Sequence, residues 1–128
     1  MRKILVIIAL AVSLGACAQL QKLEQAYTFV SGSTVPPQAV VVAANTFDGL
    51  QGTATQYLIY CKANLSQPIC VATNRRNVIR YVRAGRAARN QLESYIAQGA
   101  SAPATIYNTL IAAISSLQAS AANAGASR

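Results

Sequence analysis

The sequence contains no histidine, no tryptophan and only three carboxylate side chains, Glu24, Asp48 and Glu93. Each scarcity excludes a kind of chemistry. Without histidine, no side chain ordinarily changes its charge between about pH 5 and 8, and the commonest metal ligand is missing. The three acids lie in different segments, so no paired-carboxylate arrangement exists for general acid–base work. The cysteines, Cys17, Cys61 and Cys70, have no imidazole and too few acids to complete a zinc site. No phosphate-cradling loop or dinucleotide fingerprint is present. A Ser–Lys dyad needs a lysine of lowered pKa, and nothing around Lys22 or Lys62 would lower one. The expectation is a chain that is not an enzyme and carries no cofactor and no metal. Phenylalanine and tryptophan are also scarce, with two and none, and 25 alanines make up much of the apolar content. Cohesion then has to come from many small contacts, and alanine favours helix because it loses no side-chain entropy there.

Nor is there a long hydrophobic run. The most apolar stretch, Ile4 to Leu14, falls short of the ~20 residues that cross a bilayer. It follows Arg2 and Lys3 and fits the apolar region of a secretory signal, typically about 7 to 15 residues. Leu14-Gly15-Ala16-Cys17 resembles the lipobox of bacterial lipoproteins, in which a branched apolar residue and two small ones precede the cysteine. The resemblance implies lipidation (diacylglycerol and palmitate) at Cys17 and removal of residues 1–16. Because Ala18 is not the aspartate of inner-membrane retention, it also implies an exported, periplasm-facing protein of the outer membrane. It covers residues 1–18 alone. Ala16-Cys17-Ala18 also has the small-x-small pattern of ordinary cleavage after Ala18, but that reading leaves the position of the cysteine unexplained. Loss of Arg2 and Lys3 lowers the formal charge from +8 by two to +6, and the remaining 112 residues suit one modest domain.

With Cys17 given to a lipid, Cys61 and Cys70 are left to form a disulfide in an oxidising compartment, or to stay as buried thiols. The loop between them holds Asn64, Ser66 and Pro68, a turn-prone set.

Hydrophobic spacing predicts an all-α fold: an antiparallel three-helix bundle over residues 35–122, after a lipidated flexible tether at 17–34 and before a disordered tail at 123–128. In the tether, Leu20, Leu23, Tyr27 and Val30 have helical spacing before Ser31-Gly32-Ser33-Thr34 breaks it; fully extended it could reach ~55 Å. Thr34 or Ser33 is expected to cap a first helix opened by Pro36-Pro37. Its seam is Val40, Ala43, Phe47, Leu50, Ala54, Tyr57 and Cys61, at alternating steps of three and four. Gly49 and Gly52 predict a kink, and if Gly49-Leu50-Gln51-Gly52 were a true turn the bundle would have four helices. The second helix follows Ser66-Gln67-Pro68, buries Val71, Val78, Val82, Gly85, Ala88, Leu92 and Ile96, and stops at Gly99. Its small Gly85 and Ala88 leave room for Phe47 or Leu50. The third follows Ser101-Ala102-Pro103, with Ile106, Leu110, Ala113, Ile114, Leu117 and Ala121 as its seam. Tyr57, Tyr60, Tyr81, Tyr95 and Tyr107 are expected at the edge of the core. Asp48 is expected to pair with an arginine of the second helix.

The informative polar feature is Arg75, Arg76, Arg80, Arg83, Arg86 and Arg89. At about 100° per residue they spread over half of the helix circumference, opposite the apolar side. One expectation is a solubilising surface; the other is docking to an anionic lipid, wall polymer or acidic protein, since arginine forks bind phosphate and carboxylate in pairs of bonds. Nucleic acid is electrostatically suitable, but export argues against it. The chain is thus expected to be an envelope lipoprotein with a structural or interaction role. Its lipobox and size are also similar to the outer-membrane spanins of prophage lysis cassettes, although those are usually shorter, proline-rich and without a disulfide-closed bundle. A periplasmic inhibitor or immunity protein is the third expectation.

Overall fold

Pro36 is extended, with φ −65° and ψ 150°, and Pro37 begins helix α1, Pro37–Ala63. Proline suits that first position because its fixed φ is already helical and its missing N–H would have had no helical partner. The computed structural model describes residues 32–126. The signal, Cys17 and the tether up to residue 31 lie outside the described residues. Helix α2 spans Ala72–Gln98 and helix α3 spans Ala104–Ala126. The three pack together as an antiparallel three-helix bundle, with the α2–α3 contact the most extensive. Residues 49–52 are helical throughout, which removes the four-helix alternative.

The core is built where the first seam predicts it. Val40, Ala43, Phe47, Ala54 and Cys61 are buried on α1, with Leu50 and Tyr57 partly buried beside them. Leu92 of α2 and Tyr107, Leu110, Ile111 and Ile114 of α3 complete it. Phe47 lies directly against Gly85, as a Cβ built there would fall 2.6 Å from the ring Cζ. A helix crossing this close needs the absence of a side chain. Tyr107, expected at the edge, is fully buried at 1% exposure.

Four expectations are corrected. Neither Ser33 nor Thr34 caps α1; its N-cap is Pro36, without a side-chain hydrogen bond. Instead Thr34–Val35 forms a short strand β1 that pairs antiparallel with Ala102–Pro103, strand β2, in register Val35 with Ala102. The Ala104 N–H also donates to the Ser33 carbonyl. The chain is therefore fastened to the bundle from Ser33, two residues before the expected boundary. Second, Val71 is 47% exposed, because it is the N-cap of α2, after a 3₁₀ turn at Pro68–Cys70. Third, Ala121 is exposed, since the last turns of α3 run beyond the packed part of the bundle. Last, α3 continues to Ala126, through positions expected in a disordered tail, while 127 and 128 lie outside the described residues. The Gly99 stop is confirmed: it adopts φ 59° in the left-handed region. There the Ala100 N–H donates to the Tyr95 carbonyl and the Gly99 N–H to that of Ile96, a pairing that satisfies the last carbonyls of a helix.

Candidate functional site

The six arginines of α2 do not form one uniform face. Arg75, Arg86 and Arg89 lie on the side turned towards α1 and its following turn. The Arg75 Nε–H donates to the Cys70 carbonyl at 3.0 Å. The Arg86 Nε–H donates to Gln51 Oε1 of α1 at 3.3 Å. Arg89 bridges two acids, Asp48 at 3.3 Å and Glu93 at 2.7 Å. Its hydrogen bond to Asp48 raises its pKa above the usual value, with desolvation opposing and the charges of Asp48 and Glu93 adding.

Arg76, Arg80 and Arg83 form the second row, all exposed and about opposite Leu92 and Gly85 on the helix wheel. Arg80 stays on its own helix: it lies 5.3 Å over the Tyr81 ring and donates to Asn77 Oδ1 at 3.3 Å. Among the described residues the only acids are Asp48 and Glu93, and both are held by Arg89. The outer row therefore has no carboxylate to neutralise it, and its positive potential extends into solvent.

At one end of this helix sits the disulfide. Cys61 and Cys70 are bonded, with Cα atoms 5.2 Å apart, and both are buried. The bridge clamps the connection between α1 and α2. The Tyr57 hydroxyl donates to the Ile69 carbonyl at 2.5 Å. Burial raises the Tyr57 pKa, and the charge of Arg75 partly offsets it. Within the turn, the Asn64, Gln67 and Cys70 N–H groups donate to the carbonyls of Cys61, Asn64 and Gln67 respectively.

Around this frame large apolar side chains stand in solvent, beside the exposed polar Lys62, Ser66 and Gln67. Ile59 and Leu65 are each 59% exposed, with Tyr60 and Val71 also in solvent. Sequence reasoning misses this cluster. Ile59 lies off the α1 seam, Leu65 sits inside a polar turn, and periodicity assigns Val71 to the buried side. The available signal is two large apolar residues, Ile59 and Leu65, out of helical register around a cysteine pair. Next to it, an open groove of about 840 Å³ separates the far ends of the helices, lined by Leu50, Tyr57, Tyr60, Asn77, Tyr81 and Leu117.

Among the described residues there is no group of three His, Cys, Asp or Glu that could hold a metal ion, and no helix long and apolar enough to cross a membrane. Comparison with protein-family models, with curated proteins and with solved structures finds no match to this chain.

Proposed function

We propose that this protein is an outer-membrane-anchored lipoprotein of the bacterial envelope, acylated at Cys17, whose bundle docks through α2 on an anionic surface. Its role is binding and attachment rather than catalysis. The observation that carries the docking is the outer row Arg76, Arg80 and Arg83, exposed and without a carboxylate partner, beside an inner row that α1 engages. A solubilising surface usually intersperses both signs of charge, whereas this row carries one sign only. Arginine in such a row suits phosphate, because its planar fork donates two parallel bonds.

Two experiments test the two halves of this reading. For anchoring, cells expressing the full chain incorporate labelled palmitate into the protein, and Cys17→Ser abolishes it. Equal labelling of the variant, or a mature chain that begins at Gln19, overturns the lipoprotein. For docking, residues 17–128 bearing Cys17→Ser bind vesicles with anionic headgroups and ignore neutral ones. Salt weakens the binding, since exposed charges are screened beyond about 8 to 10 Å at physiological ionic strength. Each basic residue near such a surface contributes about 1 kcal/mol, so Arg76→Gln, Arg80→Gln and Arg83→Gln together weaken binding by roughly a hundredfold. Helix content serves as the control and stays constant, because the two residue types have nearly equal helix propensity. Undiminished binding by the triple variant shows that the row is a solubilising surface.

A further inference from the structure

The turn between α1 and α2 combines exposed apolar side chains with a clamped backbone. Four of the five large apolar side chains that the described residues leave exposed, Ile59, Tyr60, Leu65 and Val71, are gathered at this one end of the bundle. The disulfide and the Tyr57–Ile69 hydrogen bond hold the turn in place, so it cannot fold over to bury them. Scattered exposed apolar residues need no explanation, whereas a rigid cluster of them marks a contact surface.

Charge around the cluster identifies the partner. Lys62, Arg75 and Arg76 flank it, and no acid occurs from Gly49 to Leu92. An apolar tip with a cationic collar matches the interface of an anionic bilayer, where apolar groups enter the acyl boundary and basic groups meet phosphates. Tyrosine is suited to the same depth, having an apolar body and a polar end. Polar groups that enter lipid must be hydrogen-bonded or stay at headgroup level, and part of the turn is bonded internally. Here Asn64, Gln67 and Cys70 donate within the turn, and the Asn64 side chain donates to the Tyr60 carbonyl.

We infer that the disulfide-closed turn is a membrane-insertion tip, which buries Leu65 and Val71 in an anionic bilayer while the arginines of α2 bind its headgroups. This rests on the docking proposed above and narrows its partner to a lipid surface, met by the turn end of a tilted α2. The tip lies at the far end of α1 from β1, about 40 Å along a helix of 27 residues.

Since the sequence has no tryptophan, Leu65→Trp supplies a single fluorescent reporter, and Thr105→Trp, exposed at the opposite end of the bundle, supplies its control. Each is placed separately in residues 17–128 with Cys17→Ser, which include every packed element of the fold. The vesicles mix phosphatidylglycerol with phosphatidylcholine, with or without brominated acyl chains. Bromine is expected to quench the Leu65→Trp variant and to leave the Thr105→Trp variant unquenched. In the chain without reporters, Leu65→Ser with Val71→Ser is expected to weaken vesicle binding about tenfold, with the disulfide and helix content retained. An unquenched Leu65→Trp variant, or full binding by the double serine variant, overturns the tip while leaving arginine docking intact. Absence of any vesicle binding by the unsubstituted chain overturns both. If the serine pair instead dissolves a dimer seen by sedimentation and leaves vesicle binding unchanged, the surface is a contact between copies and the tip is wrong.

Discussion

Gly85 and Phe47 show how little freedom a single position can have in an alanine-rich bundle. Phe47 is fully buried, so its ring cannot swing away from a group added at position 85. Gly85→Ala improves helix propensity by up to about 1 kcal/mol, but overpacking of this kind costs about 1 to 3 kcal/mol. Overpacking wins, and the variant is expected to be less stable by about 1 kcal/mol. Gly49 and Gly52 lie in the exposed interior of α1 with nothing near the place of a Cβ. There only the propensity term remains, so Gly49→Ala and Gly52→Ala each stabilise by about 0.5 to 1 kcal/mol. Urea midpoints of the three variants measure these opposite signs; a stabilising Gly85→Ala would mean that the helices can separate at Phe47.

At the scale of elements, the α1–α2 connection depends on its covalent bridge more than either helix does. The cysteines are nine positions apart in sequence, and closing so short a loop contributes roughly 2.5 to 3 kcal/mol through the unfolded chain. Cys61→Ala with Cys70→Ala is therefore expected to lower the denaturation free energy by about that amount and to preserve the helical circular-dichroism signal. Preservation follows because Phe47, Leu92, Leu110 and Ile114 pack away from the bridge. A loss of helix in the absence of denaturant would show instead that the turn organises the bundle. The ion pairs of Arg89 are a weaker support: all three side chains are partly exposed, and such pairs contribute about 0 to 1 kcal/mol.

For the whole molecule, the small pairing of β1 with β2 ties the start of the bundle to the beginning of α3. Val35 is 1% exposed and belongs to the core cluster, although it precedes the three described helices. Removing its two methyl groups loses about 1.6 kcal/mol of burial at ~0.8 kcal/mol per group, with a cavity term in addition. Val35→Ala is expected to lower global stability by about 2 kcal/mol, measured by two-state thermal unfolding. An effect below about 0.5 kcal/mol would show that the segment before α1 is only lightly attached.

The amino-acid sequence by itself determined the helical class, the α1 seam from Val40 to Cys61, the Gly99 stop and a small-residue patch of α2 that Phe47 or Leu50 would fill; the structure chose Phe47. It also singled out Asp48 as a partner for an arginine of α2. Each of these follows from local rules: helical periodicity, backbone freedom of glycine, and side-chain size. What only the tertiary structure decided depends on where a neighbouring element lies. The six arginines occupy one continuous arc on a helix wheel, and only the presence of α1 separates Arg75, Arg86 and Arg89, which it or its turn engages, from Arg76, Arg80 and Arg83. Likewise Val71 fits the periodicity of the buried side, yet the 3₁₀ turn before it ends the α2 register at Ala72 and leaves it in solvent. The pairing of Val35 with Ala102 joins residues 67 positions apart, a contact that no local pattern encodes because neither segment is long enough to show a strand period.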